Sequence, residues 1–217
     1  MFILTDEILL KIVPKLEIER AKKLSQLINE ICPMYGIDSA NILHEFLANV
    51  IHESNHFEDK VEKLNYSAKR LIQVWPTRFQ SWEKAVKFSA NEKLLAEEVY
   101  GNRRDLGNIQ PGDGWRFRGS GFIQMTGRLN FVAFSSFIRQ KFKIIKPLDQ
   151  IADDIRTNDD MALHSACYIF AISKDLISAA IANNMIHIVK RINGGLTGLD
   201  SRLELYTLCK NNIVDFS

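Results

Sequence analysis

Apolar residues recur at Ile42, Leu43, Phe46, Leu47, Val50 and Ile51, with His44, Glu45 and Asn49 between them. This is the spacing of one helix face, and it predicts a strongly amphipathic helix that delivers the chain to His52-Glu53. Asp38 or Ser39, just after Gly36, stands where such a helix would be capped. Upstream, Thr5 precedes two acids, and helical patterns over 6 to 13 and 18 to 31 are separated by Pro14. Further helices are predicted over 68 to 74 and 91 to 100, interrupted at Trp75-Pro76 because a proline disfavours helical geometry in the residue before it. Helical spacing returns over 128 to 142, 158 to 173 and 175 to 191, then after the turn Asn193-Gly194-Gly195 over 199 to 211.

The interval from Gly101 to Gly127 breaks the pattern, holding seven of the eleven glycines together with Pro111. Such a backbone turns repeatedly and supports at most a small β-hairpin. The expected fold is therefore mainly α with an irregular, glycine-rich middle, and that middle is where a functional site is expected. There is no tandem repeat or linker, so the expectation is a single catalytic domain over 1 to 217, in which the helices of 1 to 37 pack on the rest.

Composition narrows the partners. A 46% hydrophobic and 25% charged chain is globular. A net charge of +2 suits approach to an anionic cell wall and falls far short of a nucleic-acid footprint. Cys32, Cys167 and Cys209 lack the close pairing of a metal or redox motif and read as small core hydrophobes made in a reducing compartment. Acids at Asp6 and Glu7 stand where a secretory signal needs a basic residue and an unbroken apolar stretch, and no run approaches the roughly 20 apolar residues of a membrane span. The expectation is a monomer made in the cytoplasm without a signal peptide, with no integral membrane segment.

Glu53 and Glu62 are the candidate chemistry. An inverting glycosidase needs one protonated carboxyl to donate to the leaving oxygen and one carboxylate to activate water, roughly 6.5 to 9.5 Å apart. Glu53 at a helix C-terminus lies near partial negative charge, which raises its pKa and suits the acid. Glu62, between Lys60 and Lys63, would more easily stay charged and suits the base. Their spacing alone does not set the two residues apart from ordinary surface acids, so the segment from Gly112 to Gly127 has to decide. There glycines let a backbone approach a ligand, Trp115 could stack on a sugar ring, and Gln124 and Thr126 project to one side if the segment is extended.

The ordered set of His52-Glu53-Ser54, Leu64 to Ala68, Leu71 through Trp75-Pro76-Thr77-Arg78-Phe79, Glu98 to Arg103, Gly112 to Trp115, Arg118 to Gly127 and Ile192 to Gly195 resembles the bacterial and phage branch of family 19 glycoside hydrolases. That branch includes chitinases and lysozyme-like endolysins, and the likeness covers roughly residues 38 to 205. It implies a lysozyme-like, two-lobed helical fold with a cleft, no metal or other cofactor, and an inverting reaction. Through it Glu53 matches the general acid, Glu62 the second carboxylate and Thr126 the residue that positions the attacking water. Gln124, Asn130 and Asn193 match polar residues lining the sugar site, with Tyr66 as an aromatic beside them. The chain departs from the resemblance at Asn55 and His56, where many relatives have glycines, and at Ser120, where an arginine is usual.

The implied activity is cleavage of β-1,4 linkages in bacterial peptidoglycan, by a protein released to the wall through a membrane lesion or a secretion system, with chitin or chitooligosaccharides as the alternative substrate. Two other classes compete. His52-Glu53-Ser54-Asn55-His56 fits the zinc-protease pattern, in which two histidines on successive helix turns hold the metal, but the glycine of the longer pattern is replaced by Asp59. A sugar-binding protein without catalysis would also keep the groove residues.

Overall fold

The computed structural model describes residues 2–215. In chain order its helices are α1 (Asp6–Ile12), α2 (Ile18–Ile31), α3 (Ala40–Glu53), α4 (Ala68–Val74), α5 (Trp82–Phe88), α6 (Glu92–Tyr100), α7 (Asp113–Arg116), α8 (Arg128–Phe142), α9 (Leu148–Thr157), α10 (Asp159–Cys167), α11 (Ile177–Ile181), α12 (Met185–Asn193) and α13 (Leu199–Asn212). Among the described residues β pairing is confined to isolated bridges. The fold is mainly α, as the hydrophobic spacing predicts.

Two compact units are formed. The first contains residues up to Lys60, the turn Gly121–Gln124 and residues from Asp153 onward. At its centre α3 is buried on nearly every face and packs along α13. Phe46 meets Phe170 edge-on at 5.3 Å, one of several side chains whose burial contributes about 2 kcal/mol each. The polar positions of α3 are buried as well: His44, Glu45 and Asn49 are 6%, 1% and 0% exposed, so the helix is not amphipathic in its surroundings. His44 Nε2 shares a hydrogen bond with the Ile213 carbonyl at 2.9 Å.

Ser39 has the extended backbone of a cap but makes no capping bond with its side chain. The Ala40 N–H is satisfied instead by Asp215 Oδ1 at 3.0 Å, so the far end of the chain caps the helix that ends at Glu53. The N-terminal helices belong to the same unit, α1 against α13 and α2 against α10. Asn29 ties them to the first residues by exchanging two hydrogen bonds with the Leu4 backbone, at 2.9 and 2.8 Å. Thr5 caps α1 through the Ile8 N–H. The three cysteines are buried free thiols, Cys32 and Cys167 with their sulfurs 3.8 Å apart.

The second unit holds Val61–Ser120 and Met125–Ala152. Its core gathers Leu64, Leu71, Phe79, Phe88, Leu95 and Val99, with Tyr66, Trp75 and Trp115 partly buried against it.

Some helices differ from the pattern. α5 goes unpredicted because only Ala85 and Phe88 of it are buried while Trp82 and Val86 face solvent. α9 is hidden by its charges, although Ile151, Ala152 and Ile155 form a buried stripe. The helix expected over 175 to 191 is two, because Asn183 takes a left-handed φ of +53° and Asn184 caps a new helix through the His187 N–H at 3.0 Å. After Cys167 the chain continues as a π-helical turn, Tyr168–Ser173.

Candidate functional site

α3 ends at Glu53, as the spacing predicts. The carboxylate accepts a hydrogen bond from Nη2 of Arg202, a residue of α13 whose side chain has no solvent exposure, while the Glu53 side chain is 20% exposed. Asn193 at the end of α12 also bonds to it. Burial pushes the Glu53 pKa up, and the Arg202 charge, the Arg202 hydrogen bond and the Asn193 hydrogen bond oppose the rise without cancelling it. The expected elevation is present, but burial is its leading cause. The charge beside the carboxyl is a buried cation, which the sequence reading did not include.

The backbone after Glu53 is unusual. Asn55, His56 and Phe57 hold φ values of +48°, +65° and +68°, three consecutive non-glycine residues in the left-handed region. Each such residue costs about 1 kcal/mol or more, because Cβ crowds the following carbonyl oxygen. The departure from glycine at 55 and 56 therefore leaves a left-handed turn in place and adds strain to it. The turn also ends α3: the His56 N–H bonds the Ile51 carbonyl at 2.7 Å and the Ser54 N–H bonds that of Val50 at 3.0 Å. Ser54 Oγ donates to the Val50 carbonyl at 2.6 Å and accepts from the Phe57 N–H at 2.9 Å, and the Phe57 ring is buried against Phe122.

This geometry separates the zinc-pattern histidines. His52 is on the last turn of α3, and His56 lies past its end in the left-handed turn, so the two do not share a helix face. His52 Nδ1 shares a hydrogen bond with Ser201 Oγ at 3.0 Å. Burial, Arg202 and His56 push the His52 pKa down.

Glu62 belongs to the second unit and is held by a frame of donors. Its Oε1 accepts from the Gly119 N–H at 2.6 Å and its Oε2 from the Tyr100 hydroxyl at 2.7 Å. The Glu62 N–H returns a bond to the Gly119 carbonyl at 3.0 Å. Burial raises the Glu62 pKa, against lowering contributions from Tyr100, Gly119 and Arg118. The lysine argument does not hold for Lys60, whose Nζ binds Asp159 Oδ1 at 2.6 Å. The hydrogen-bond donors named above lower the Glu62 pKa, as the lysines are expected to, but burial outweighs them and leaves the carboxyl above its usual range.

Tyr100 is itself braced. Asn108 Nδ2 donates to the Tyr100 carbonyl at 2.9 Å, and Asn108 Oδ1 accepts from the Arg128 N–H at 2.8 Å. Arg128 grips the buried Asp113 through both carboxylate oxygens, at 2.9 and 2.5 Å. Burial pushes the Asp113 pKa up, but Arg128 and the Gln110 N–H outweigh it and hold the carboxyl below its usual range.

Trp115 is half-buried and anchors the loop: Arg118 lies 3.5 Å over its ring, and its N–H donates to Glu97 Oε1 at 2.8 Å. Gln124 and Thr126 do not lie on one extended strand. Ser120 and Met125 exchange backbone bonds at 3.1 and 2.8 Å, closing a loop in which Gly121–Gln124 is a turn. Gly121 makes that closure possible, at φ +92° and so close to Ser165 that an added Cβ would lie 2.6 Å from its Oγ. Gln124 is exposed and Thr126 half-buried. Asn130 is exposed and donates to the Thr126 carbonyl at 2.7 Å, while Asn193, also exposed, donates to that of Thr197 at 3.3 Å. Tyr66 packs edge-on to Trp75 at 5.3 Å. Ser120 is fully buried and donates to the Arg118 carbonyl at 2.9 Å.

Arg202 beside Glu53 and Tyr100 beside Glu62 are contacts that the sequence pattern does not name. For Arg202 a signal existed: it sits in helical register with Leu205 and Cys209 on the buried stripe of α13, where an unpaired arginine would be prohibitive.

No family model matches the chain. It is similar to a "glycosyl hydrolase family 19 domain-containing protein" of Haemophilus influenzae, with 35% identity over 161 residues, or 74% of each chain.

Proposed function

The chain belongs to the family 19 glycoside hydrolases, and from that premise we propose that it hydrolyses the β-1,4 linkages of bacterial peptidoglycan as an endolysin-type enzyme. The observation that carries this reading is the pair of differently framed carboxyls, Glu53 beside a buried guanidinium and Glu62 under two neutral donors.

In this reading Glu53 is the general acid. Burial favours its protonated form, and Arg202 stabilises the carboxylate left behind when that proton goes to the leaving sugar oxygen. Glu62 is the base. The Gly119 N–H and the Tyr100 hydroxyl hold its carboxylate as an acceptor, and burial makes that carboxylate basic enough to take a proton from water. Water attacks the anomeric carbon on the face opposite the leaving group, inverting it. Thr126 orients that water, and Tyr66, Gln124, Asn130 and Asn193 contact sugar. No step requires a metal.

A net charge of +2 is compatible with approach to an anionic wall. Chitooligosaccharides share the β-1,4-linked N-acetylglucosamine unit and are the alternative substrate. We place the site of action at the cell wall, after release from the cytoplasm. Among the described residues no helix is long and apolar enough to cross a membrane.

The test is mass analysis of fragments released from purified peptidoglycan, with chitin hexamer in parallel and Glu53→Gln and Glu62→Gln as controls. Each variant is expected to lose at least about a hundredfold in rate, the lower end for removal of a positioned acid or base. Near-normal turnover by a folded variant removes that residue from the mechanism, and release of peptides rather than sugar fragments removes the reaction class.

A further inference from the structure

We propose that Arg20, on α2, is a positioning residue for Glu53, acting through the left-handed turn Asn55–Phe57. The inference rests on the reading of Glu53 as the acid and extends it to a residue 33 positions upstream in the chain. Arg20 Nη2 donates to the Phe57 carbonyl, and Nη1 pairs with Glu58 Oε1 at 3.2 Å. Nη2 also lies 3.6 Å from Asp159 Oδ1, the same oxygen that holds Lys60 at 2.6 Å. One guanidinium and one carboxylate therefore bracket residues 57 to 60 from outside the segment.

The turn needs such a hold. Three successive side chains at positive φ are opposed by their own sterics, and such a conformation persists only where the surroundings over-determine it. Ser54 and the buried Phe57 ring supply the internal restraints, and Arg20 supplies one from a separate helix. The turn is coupled to Glu53 by hydrogen bonds, because the amides of Ser54, Asn55 and His56 close the carbonyls of Val50, His52 and Ile51. If the turn relaxes, those carbonyls open and the last turn of α3 frays with Glu53 on it. Arg20 thus gives the N-terminal helices a part in catalysis without touching substrate.

The experiment compares full-length wild type with Arg20→Met, which keeps the aliphatic stem and loses every donor. On peptidoglycan, kcat is expected to fall about tenfold or more with KM within about twofold, as for a misplaced catalytic group. Amides of residues 52 to 57 should exchange faster with solvent. His56→Gly added to Arg20→Met should recover part of the kcat, because glycine holds a left-handed φ without strain. Wild-type kcat together with wild-type protection at 52 to 57 in folded Arg20→Met would overturn the proposal. Should that variant not fold, Arg20→Gln, which keeps a donor for one acceptor, decides on the same two readouts. Glu53→Gln run alongside separates the two claims: activity surviving in Glu53→Gln sinks the acid assignment, whereas exchange at 52 to 57 still reports on the clamp.

Discussion

Arg202 donates to Glu53 across 149 residues of sequence, from a side chain that solvent does not reach. A buried guanidinium stays charged, since its intrinsic pKa lies far above the pH range in which enzymes work. Burial lowers the Arg202 pKa while the Glu53 charge raises it. The two groups therefore hold each other in a compromise. Glu53 stays above the usual carboxylate range but below where burial alone would put it.

Replacing Arg202 with Met should move the Glu53 pKa further up, because the two influences that Arg202 exerts on it both lower it. A general acid works while protonated, so kcat/KM falls as pH rises through its pKa. The basic limb of the pH–rate profile should shift to higher pH in Arg202→Met. The plateau rate should drop about tenfold or more as the carboxylate formed in the transition state loses its counter-charge. An unmoved limb would show that the ion pair does not tune the acid.

For the base a shift in the same direction acts on the other limb. Removing the Tyr100 hydroxyl takes away a donor that lowers the Glu62 pKa, so Tyr100→Phe should raise it. A base works while deprotonated, and the acidic limb should therefore shift to higher pH. A hydrogen bond to a charged group contributes about 1.5–3 kcal/mol, so losing it should cost roughly tenfold or more in rate below the optimum. Profiles of wild type and Tyr100→Phe, with folding checked by circular dichroism, settle the point.

What the sequence disclosed follows the range of the interactions. The helix into Glu53 was legible because six apolar residues repeat at one spacing, and the Thr5 cap because its partner is three residues away. The glycine-rich segment was legible as irregular, and its loop around Gly121 was not, because the closing pair Ser120 and Met125 carries no local signature. Glu45 and Asn49 read as the polar face of α3, since nothing local reveals that α13 and α12 cover them. Glu53 and Glu62 are candidates through the family resemblance, since their spacing alone does not distinguish them from surface acids. The tuning of the pair was not legible, because Arg202 and Tyr100 lie 149 and 38 residues from the groups they serve.

Gly121→Ala tests the loop closure directly. At φ +92° an L side chain is strained, and the new Cβ would lie 2.6 Å from Ser165 Oγ and 3.1 Å from Ile155 Cγ2. Positive φ and the collision together should cost about 2–4 kcal/mol, read as a lowered denaturation midpoint in urea with an unchanged slope. Gly36→Ala is the control, at φ +80° with nothing within 4 Å of its Cβ, and should lose only the strain contribution. Equal losses in the two variants would mean that Ser165 and Ile155 yield freely.

Glu45 should make the protein more stable in mild acid than in base. Its side chain is 1% exposed, and its Oε2 has no hydrogen-bond partner among the described residues. Burial pushes its pKa from the ordinary 4.5 to about 7. Because the folded-state pKa is the higher one, folding favours the protonated carboxyl. The stability this contributes is complete below about pH 4.5 and is lost as pH rises through about 7. A gap of about 2.5 pH units, at about 1.4 kcal/mol per unit, bounds the loss at about 3.5 kcal/mol. Glu45→Gln cannot ionise and should remove that part of the slope, so its melting temperature relative to wild type should rise between pH 5 and pH 8. If both proteins lose stability in parallel over that range, Glu45 does not titrate there, and an internal water or a rearranged side chain satisfies its carboxylate.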